Sequence, residues 1–163
     1  MLSRRRILQM SGSALLLAQL PMAVRSAMGI EGLLAETDLI YVSPIKTNGD
    51  ESQCQAEIWF VHEGTDMYVC VQSASWRVQA AKKGLNNAHV WIGDVGNWSS
   101  SSGKYRALPM VNASVEVIDD AAVVEKALAW FGDKYPLGWL RYESQFREGL
   151  AAGTRTLMRY QPV

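Results

Sequence analysis

Hydrophobic and polar residues alternate along several short stretches of the chain, a pattern typical of β-strands. These stretches are rich in β-branched and aromatic residues and are separated by turn residues. Glu63-Gly64-Thr65-Asp66 predicts the clearest hairpin turn, with residues 63 and 66 facing each other. The predicted strand segments span residues 39–45, 55–62, 67–72, 89–93, 105–109, 112–118 and 154–160. We expect about six strands in one sheet.

Other stretches repeat apolar residues at the three- and four-residue spacing of a helix. The pair Asp119-Asp120 is expected to cap one such helix, which ends near Gly132. Further helical stretches span residues 29–37, 78–84 and 137–150. A meander of strands, followed by helices and one returning strand, indicates an α+β fold around a barrel-like sheet.

The N-terminus has the order of an export signal. Residues 3–9 read Ser-Arg-Arg-Arg-Ile-Leu-Gln, and the apolar stretch 10–24 that follows is too short for a membrane-spanning helix. The basic heptad resembles the twin-arginine signal at Ser3, Arg4, Arg5 and Leu8. That resemblance implies export of a folded domain, residues 27–163, by the twin-arginine machinery after loss of residues 1–26.

The destination implied by this leader is the periplasm or another compartment outside the cytoplasm. An ordinary secretory leader and a retained, uncleaved anchor are competing interpretations. We expect no stable membrane span in the mature form.

Charge is distributed unevenly along the chain. Four of the 16 basic residues lie before residue 26, whereas all 16 acidic residues lie after it. The mature domain therefore carries a net charge of about −4, which makes nucleic acid an unlikely partner.

The cysteines and histidines do not form a recognisable metal or disulfide motif. The predicted hairpin register places Cys54 about 16 Å along the strand from the position opposite Cys70, whereas a disulfide needs Cα atoms within about 7 Å. We therefore expect two unpaired cysteines. His62 and His89 lack acidic or cysteine partners at the spacing of zinc ligands, so we expect no metal site.

The segment 68–77 is the most informative candidate for a site. It predicts a strand that ends in the hydroxyls of Ser73 and Ser75 and in the guanidinium of Arg77, immediately before a helix. Hydroxyls, free backbone N–H groups and a guanidinium at such a junction suit a phosphate. The competing interpretation is that Ser75 caps the helix and Arg77 is a surface residue.

Residues 38–163 resemble the split-barrel flavin-binding superfamily of pyridoxamine-phosphate oxidases and related flavin or deazaflavin reductases. The shared motifs are Ile58-Trp59-Phe60-Val61, Tyr68-Val69, Ser75-x-Arg77 and Asn87-Ala88-His89-Val90, with Lys134-Tyr135-Pro136 and a closing strand near the C-terminus. The resemblance implies a six-stranded antiparallel split β-barrel with peripheral helices.

The resemblance also implies a cofactor site. Ser75 and Arg77 would hold the phosphate of FMN, and the backbone of residues 59–61 (Trp59, Phe60 and Val61) would lie along the flavin ring. Ser73 and Trp76 belong to the same junction, and Lys46 and Lys82 would add positive charge near the phosphate. The sequence departs from the family pattern at Trp76 and Ala88, where relatives often have a second basic residue and a proline.

These observations favour a homodimer that binds FMN between its subunits and performs redox chemistry on a small molecule. The tryptophans Trp59, Trp76, Trp91 and Trp98 supply the large aromatic surface that interfaces favour. A deazaflavin coenzyme could take the place of FMN. Two further hypotheses are a cofactor-free binding or accessory protein of the same fold and a haem-binding protein with His62 or His89 as ligand.

Overall fold

A computed structural model describes residues 29–163, so the predicted leader lies outside the described residues. The strands are β1 (Leu39–Pro44), β2 (Ala56–Trp59), β3 (Val61–Glu63), β4 (Asp66–Gln72), β5 (Asn87–Ile92), β6 (Met110–Ile118) and β7 (Arg155–Pro162). The helices are α1 (Ile30–Ala35), α2 (Trp76–Lys82), α3 (Ala121–Lys134) and α4 (Pro136–Ala151). None of these helices is long and apolar enough to cross a membrane.

All seven strands belong to one antiparallel sheet with the order β2-β1-β5-β6-β7-β4-β3. Its two edge strands, β2 and β3, are separated by Phe60 alone, so the chain itself joins the two edges. The sheet therefore curls into a nearly closed barrel. This confirms the predicted α+β split barrel, with seven strands in place of six.

The predicted strand 55–62 is interrupted at Phe60 and forms two strands, β2 and β3. The backbone N–H of Phe60 donates to the Tyr135 hydroxyl, and its carbonyl accepts from the same hydroxyl. Both polar groups of the Phe60 backbone are thus satisfied by a side chain. The chain can therefore pass from the ladder with β1 to the ladder with β4 without leaving a buried backbone group unpaired.

The predicted strand at 105–109 is wrong, because residues 104–107 form a short 3₁₀-helix. Gly103 precedes it with a φ of 79°, a left-handed conformation that glycine adopts readily. Tyr105 then stacks on Tyr41 with ring centroids 5.3 Å apart and meets the edge of Trp91. Packing against β1 and β5 has overridden the local preference for a strand.

Two large cores share the sheet, in addition to the small cluster around Tyr41, Trp91 and Tyr105. The interior core fills the barrel and consists mainly of aliphatic side chains from its strands, together with Leu34 of α1 and Val78 of α2. The second core lies outside the sheet, where Tyr68, Cys70 and Leu157 pack against α3 and α4. The two late helices therefore cover one outer face of the barrel.

Local sequence signals account for several of these elements. Asp120 caps α3 as predicted, since its carboxylate accepts from the backbone N–H groups of Ala122 and Val123. The hairpin register is also confirmed, because Glu63 faces Asp66. α3 continues past Gly132 to Lys134, and Pro136 then begins α4 in the first-turn position that suits proline.

Both cysteines are free, as predicted. Their expected positions were only half correct: Cys70 lies on β4, where it faces Leu157 of β7, whereas Cys54 lies in the loop before β2.

Candidate functional site

The free edge of β2 opens into a groove of about 390 Å³. β2 pairs only with β1, so the backbone groups on its other side have no strand partner. The groove lies between this edge, β4 and α4. Its lining residues are Glu57, Ile58, Trp59, Cys70, Tyr142, Gln145, Phe146 and Arg155.

A second groove of about 540 Å³ lies at the end of β4. It is lined by Gln72, Ala74, Gln145, Glu148, Gly149, Ala152, Thr154 and Arg155. Gln145 and Arg155 line both grooves, so the two lie side by side along β4 and α4 and share these two side chains. We call the two together the β4–α4 channel. Each half has a volume in the range of natural ligand sites.

Arg155 lies where the two halves of the β4–α4 channel meet. Its guanidinium donates to Gln145 Oε1 at 2.8 Å and lies 4.8 Å from the centre of the Phe146 ring. Within residues 29–163 it has no carboxylate partner at ion-pair distance. It is therefore a cation able to receive an anion in the β4–α4 channel.

Cys70 forms part of the floor of the same channel. Burial raises the pKa of its thiol to about 11, and the neighbouring Arg155 opposes that shift only in part. At neutral pH the thiol is consequently a neutral, weakly polar surface.

Trp59 forms one wall of the channel and is held in place by α4. Its indole stacks on Tyr135 with ring centroids 4.6 Å apart and meets the edge of Tyr142 at 5.6 Å. A Cβ at Gly138 would collide with the indole, so glycine is the residue that lets α4 approach this closely. The wall is thus rigidly packed. Phe60 and Val61, its predicted companions, are buried in the two cores and do not line the channel.

The predicted phosphate junction borders the other end of the channel. Ser73 donates its backbone N–H to the Thr154 carbonyl, and its hydroxyl lies 2.7 Å from that of Thr156. Ser75 precedes α2, but its hydroxyl makes no capping hydrogen bond and is buried without a partner. The proposal that Ser75 simply caps the helix is therefore wrong. An unpaired buried hydroxyl is a group able to accept or donate to a ligand.

Arg77 is not a surface residue, because only 7% of it is exposed. Its Nη2 atom contacts the carbonyl oxygen of Cys54 at 3.4 Å and the Cys54 sulfur at 3.6 Å. It does not line the β4–α4 channel. Its role as a phosphate ligand stays a prediction, since the structure neither brings it to that channel nor gives its Nη1 atom another partner.

The remaining predicted residues are exposed. Trp76 follows Ser75 and is 42% exposed, and Lys82 lies in the last turn of α2. Lys46 lies in the turn after β1, where its amine faces Asp50 at 3.8 Å. These residues also stay predictions, and none of them lines the β4–α4 channel.

Arg155, Gln145 and Cys70 are channel residues that the sequence did not indicate. Arg155 belongs to the wetter face of the predicted closing strand, and nothing local distinguishes it from other surface arginines. Its importance depends on the packing of β7 beside β4 and α4, which brings together residues about 80 positions apart.

The histidines occupy separate places. His62 Nδ1 faces the carbonyl oxygen of Gly64 at 2.9 Å within its own hairpin, and His89 Nδ1 faces Glu51 Oε1 at 3.0 Å. Arg106 binds the same carboxylate and, as the larger cause, lowers the pKa of Glu51, with His89 contributing further. Among residues 29–163 no group of three potential ligands forms a metal site.

Neither a family model nor a curated protein matches the chain. Solved structures do match it. General Stress Protein 26 from Bacillus anthracis str. Sterne is 14% identical with a TM-score of 0.54, and the match covers 86% of this chain and 90% of that protein. A Clostridium acetobutylicum protein related to general stress protein 26, of the pyridoxinephosphate oxidase family, is 14% identical with a TM-score of 0.52, over 85% and 82% of the two chains.

HutZ, the heme storage protein from Vibrio cholerae, is 12% identical with a TM-score of 0.56, over 82% of this chain and 87% of HutZ. Such identities establish the fold and nothing finer. The chain therefore has the split-barrel fold of the pyridoxamine-phosphate-oxidase-like proteins.

Proposed function

We propose that this protein binds FMN in the β4–α4 channel and uses it to oxidise or reduce a small molecule outside the cytoplasm. The observation that carries the proposal is the channel itself. It joins a strand edge with free backbone groups to a cation that lacks an acidic partner within the described residues. A flavin nucleotide has the same two parts, a planar ring with polar edges and a phosphate.

The ring end of the channel is provided by β2 and α4. Free N–H and C=O groups on the outer edge of β2 can hydrogen-bond to the polar edge of the ring. Trp59 and Tyr142 supply aromatic surface, and the neutral thiol of Cys70 supplies a close, weakly polar floor. Because Trp59 is already packed against Tyr135, little ordering is needed when the ligand binds.

The phosphate end is provided by Arg155 and the β4–α2 junction. Arg155 can donate through its planar guanidinium, and Gln72 and Ala74 of the junction line the same groove. Ser73 and Ser75 lie at this end of β4 but do not line the groove. Arg155 is thus the group that fits a phosphate. When bound, the flavin would supply the hydride chemistry, while the protein would bind and orient it.

Titration of FMN into the exported protein tests this proposal, with flavin fluorescence as the readout. We expect Arg155→Met to weaken binding about 10- to 150-fold, the loss of one charge-assisted contact. Arg147→Met is the matched control, because Arg147 lies on α4 but outside the β4–α4 channel and pairs with Glu125 and Glu143. It should bind FMN like the wild type.

Arg77→Met in the same titration separates the two candidate phosphate ligands. A larger loss of FMN affinity than in Arg155→Met would indicate that the phosphate binds on the Arg77 side of the junction. No binding of FMN or of a deazaflavin by the wild type would contradict the flavin proposal and favour the cofactor-free binding protein.

Haem is the second candidate, favoured by the fold shared with HutZ and by a histidine with a free ring nitrogen. His89 is the better candidate ligand, because its Nδ1 faces the Glu51 carboxylate, an arrangement that fixes the orientation of a ligating imidazole. A Soret band in the purified protein that is lost in His89→Ala but kept in His62→Ala would support haem. A flavin band in its place would support FMN.

A further inference from the structure

Three polar side chains meet at the barrel end near Cys54, away from the β4–α4 channel. The guanidinium of Arg77 contacts the Cys54 sulfur through Nη2. The hydroxyl of Tyr160, on the interior face of β7, lies beside the same guanidinium. We call Cys54, Arg77 and Tyr160 the thiol cluster.

The thiol cluster contains hydrogen-bonding groups that are not satisfied. Within residues 29–163, Arg77 Nη1 and the Tyr160 hydroxyl are both buried and neither has a partner at good hydrogen-bond geometry, although the two side chains are neighbours. Arg77 also has no carboxylate partner in the described part of the chain, although only 7% of the residue is exposed. A buried positive charge without a counter-ion is costly, and a buried unpaired donor adds to that cost. An anionic oxygen beside the sulfur would reduce both costs, because it would be a counter-ion for Arg77 and an acceptor for the unpaired donors.

We propose that Cys54 is an oxidation site, at which a hydroperoxide converts the thiol to a sulfenic acid that Arg77 and Tyr160 stabilise. The sulfur attacks the terminal peroxide oxygen, an S–O bond forms and the O–O bond breaks. The sulfur is oxidised by two electrons, and the peroxide is reduced to an alcohol, or to water from hydrogen peroxide, which takes up the thiol proton. The new oxygen lies within the cluster, where the unpartnered donors can bind it.

The structure distinguishes Cys54 from the other thiol. Cys54 is half-buried in a loop and is thus the more accessible of the two cysteines. Cys70 is buried, and burial raises the pKa of its thiol to about 11. Only a thiolate is strongly nucleophilic, so Cys70 serves as an internal control that should not react. This inference concerns residues outside the flavin channel and does not depend on flavin binding.

The experiment treats the full chain with hydrogen peroxide in the presence of dimedone, which captures sulfenic acids, and follows each cysteine by peptide mass spectrometry. We expect Cys54 to be labelled and Cys70 to stay unlabelled. Arg77→Met should slow the labelling at least about tenfold, the effect of one lost charge-assisted hydrogen bond. Tyr160→Phe, which keeps the ring and removes only the hydroxyl, should slow it as well.

Two controls keep the test decisive. Arg147→Met removes an exposed arginine of α4 that pairs with Glu125 and Glu143, and it should leave the labelling rate unchanged. Arg77→Lys keeps the charge but loses the planar set of donors, and it tests the cluster if Arg77→Met does not fold; its rate should be lower than that of the wild type. Labelling of both cysteines at equal rates would overturn the proposal. So would an unchanged rate in folded Tyr160→Phe and Arg77→Lys together.

Discussion

The hydroxyl of Tyr135 binds both backbone polar groups of Phe60, accepting from its N–H at 3.1 Å and lying 2.7 Å from its carbonyl oxygen. The two residues are 75 positions apart in the sequence. The same hydroxyl lies 2.8 Å from the Asp38 carbonyl oxygen, and burial, its largest cause, raises the pKa of Tyr135. This one side chain therefore fixes the point at which the chain passes from β2 to β3.

Tyr135→Phe should destabilise the fold. The variant leaves the buried N–H of Phe60 without a partner, which costs about 1 to 3 kcal/mol in the free energy of unfolding. Urea denaturation measures the loss. Tyr142→Phe is the matched control, because Tyr142 also packs against Trp59 but makes no hydrogen bond through its hydroxyl within the described residues. Equal stabilities of the two variants would contradict the role given to Tyr135.

Lys134 predicts an unusual dependence of stability on pH. Its amine lies 3.5 Å from the centre of the Phe60 ring, and burial lowers its pKa to about 8, with Asp38 opposing the shift. In the unfolded chain a lysine titrates near pH 10.4. Between these two pH values the lysine is protonated in the unfolded chain but not in the folded chain. The free energy of unfolding therefore increases as the pH rises through this window.

In Lys134→Met the free energy of unfolding should lack this increase with pH. The stability of the wild type relative to the variant should rise by on the order of 2 kcal/mol between pH 7 and pH 10, as measured by denaturation at each pH. Lys83→Met, at the exposed end of α2, is the control and should track the wild type throughout. A relative stability of Lys134→Met that does not change with pH would show that the lysine titrates normally.

Replacing Arg4 and Arg5 together by lysine should block export. A twin-arginine signal depends on the guanidinium groups, whereas an ordinary secretory leader needs only basic charge. Fractionation of cells that express the wild type and the double variant measures the effect. Arg6→Lys, which changes the third arginine, is the matched control and should be exported. Undiminished export of the double variant would support an ordinary leader.

Sedimentation of the mature domain should report a dimer. Large apolar side chains are exposed on its surface, among them Trp76 at 42% and Leu137 and Leu140 at about twice that fraction. Exposed apolar residues of this size are typical of association surfaces. A clean monomer at micromolar concentration would contradict the expected homodimer and, with it, a flavin bound between two subunits.

The sequence could predict the features that depend on neighbouring residues. The Glu63–Asp66 turn and the Asp120 cap belong to this group, because turn and cap chemistry operate over a few positions. The barrel itself followed from the order of the elements and from the family resemblance, and both pointed to the correct fold class.

Features that depend on distant contacts could not be predicted in this way. The break at Phe60 requires Tyr135, and the 3₁₀-helix at Tyr105 requires Tyr41 and Trp91. The same distinction holds for the residues of the candidate site. Trp59 was identified through the resemblance, whereas the placement of Arg155 and the burial of Arg77 follow from tertiary packing that no local pattern encodes.

The continuity of β2 and β3 through Phe60 also bears on self-association. Open sheet edges invite strand-by-strand pairing with other chains and hence aggregation. Here the edges are strands of four and three residues, and the outer side of β2 faces a groove walled by α4. Few backbone groups are therefore available for a strand of another chain to pair with. We expect two copies of the chain to associate through their side chains.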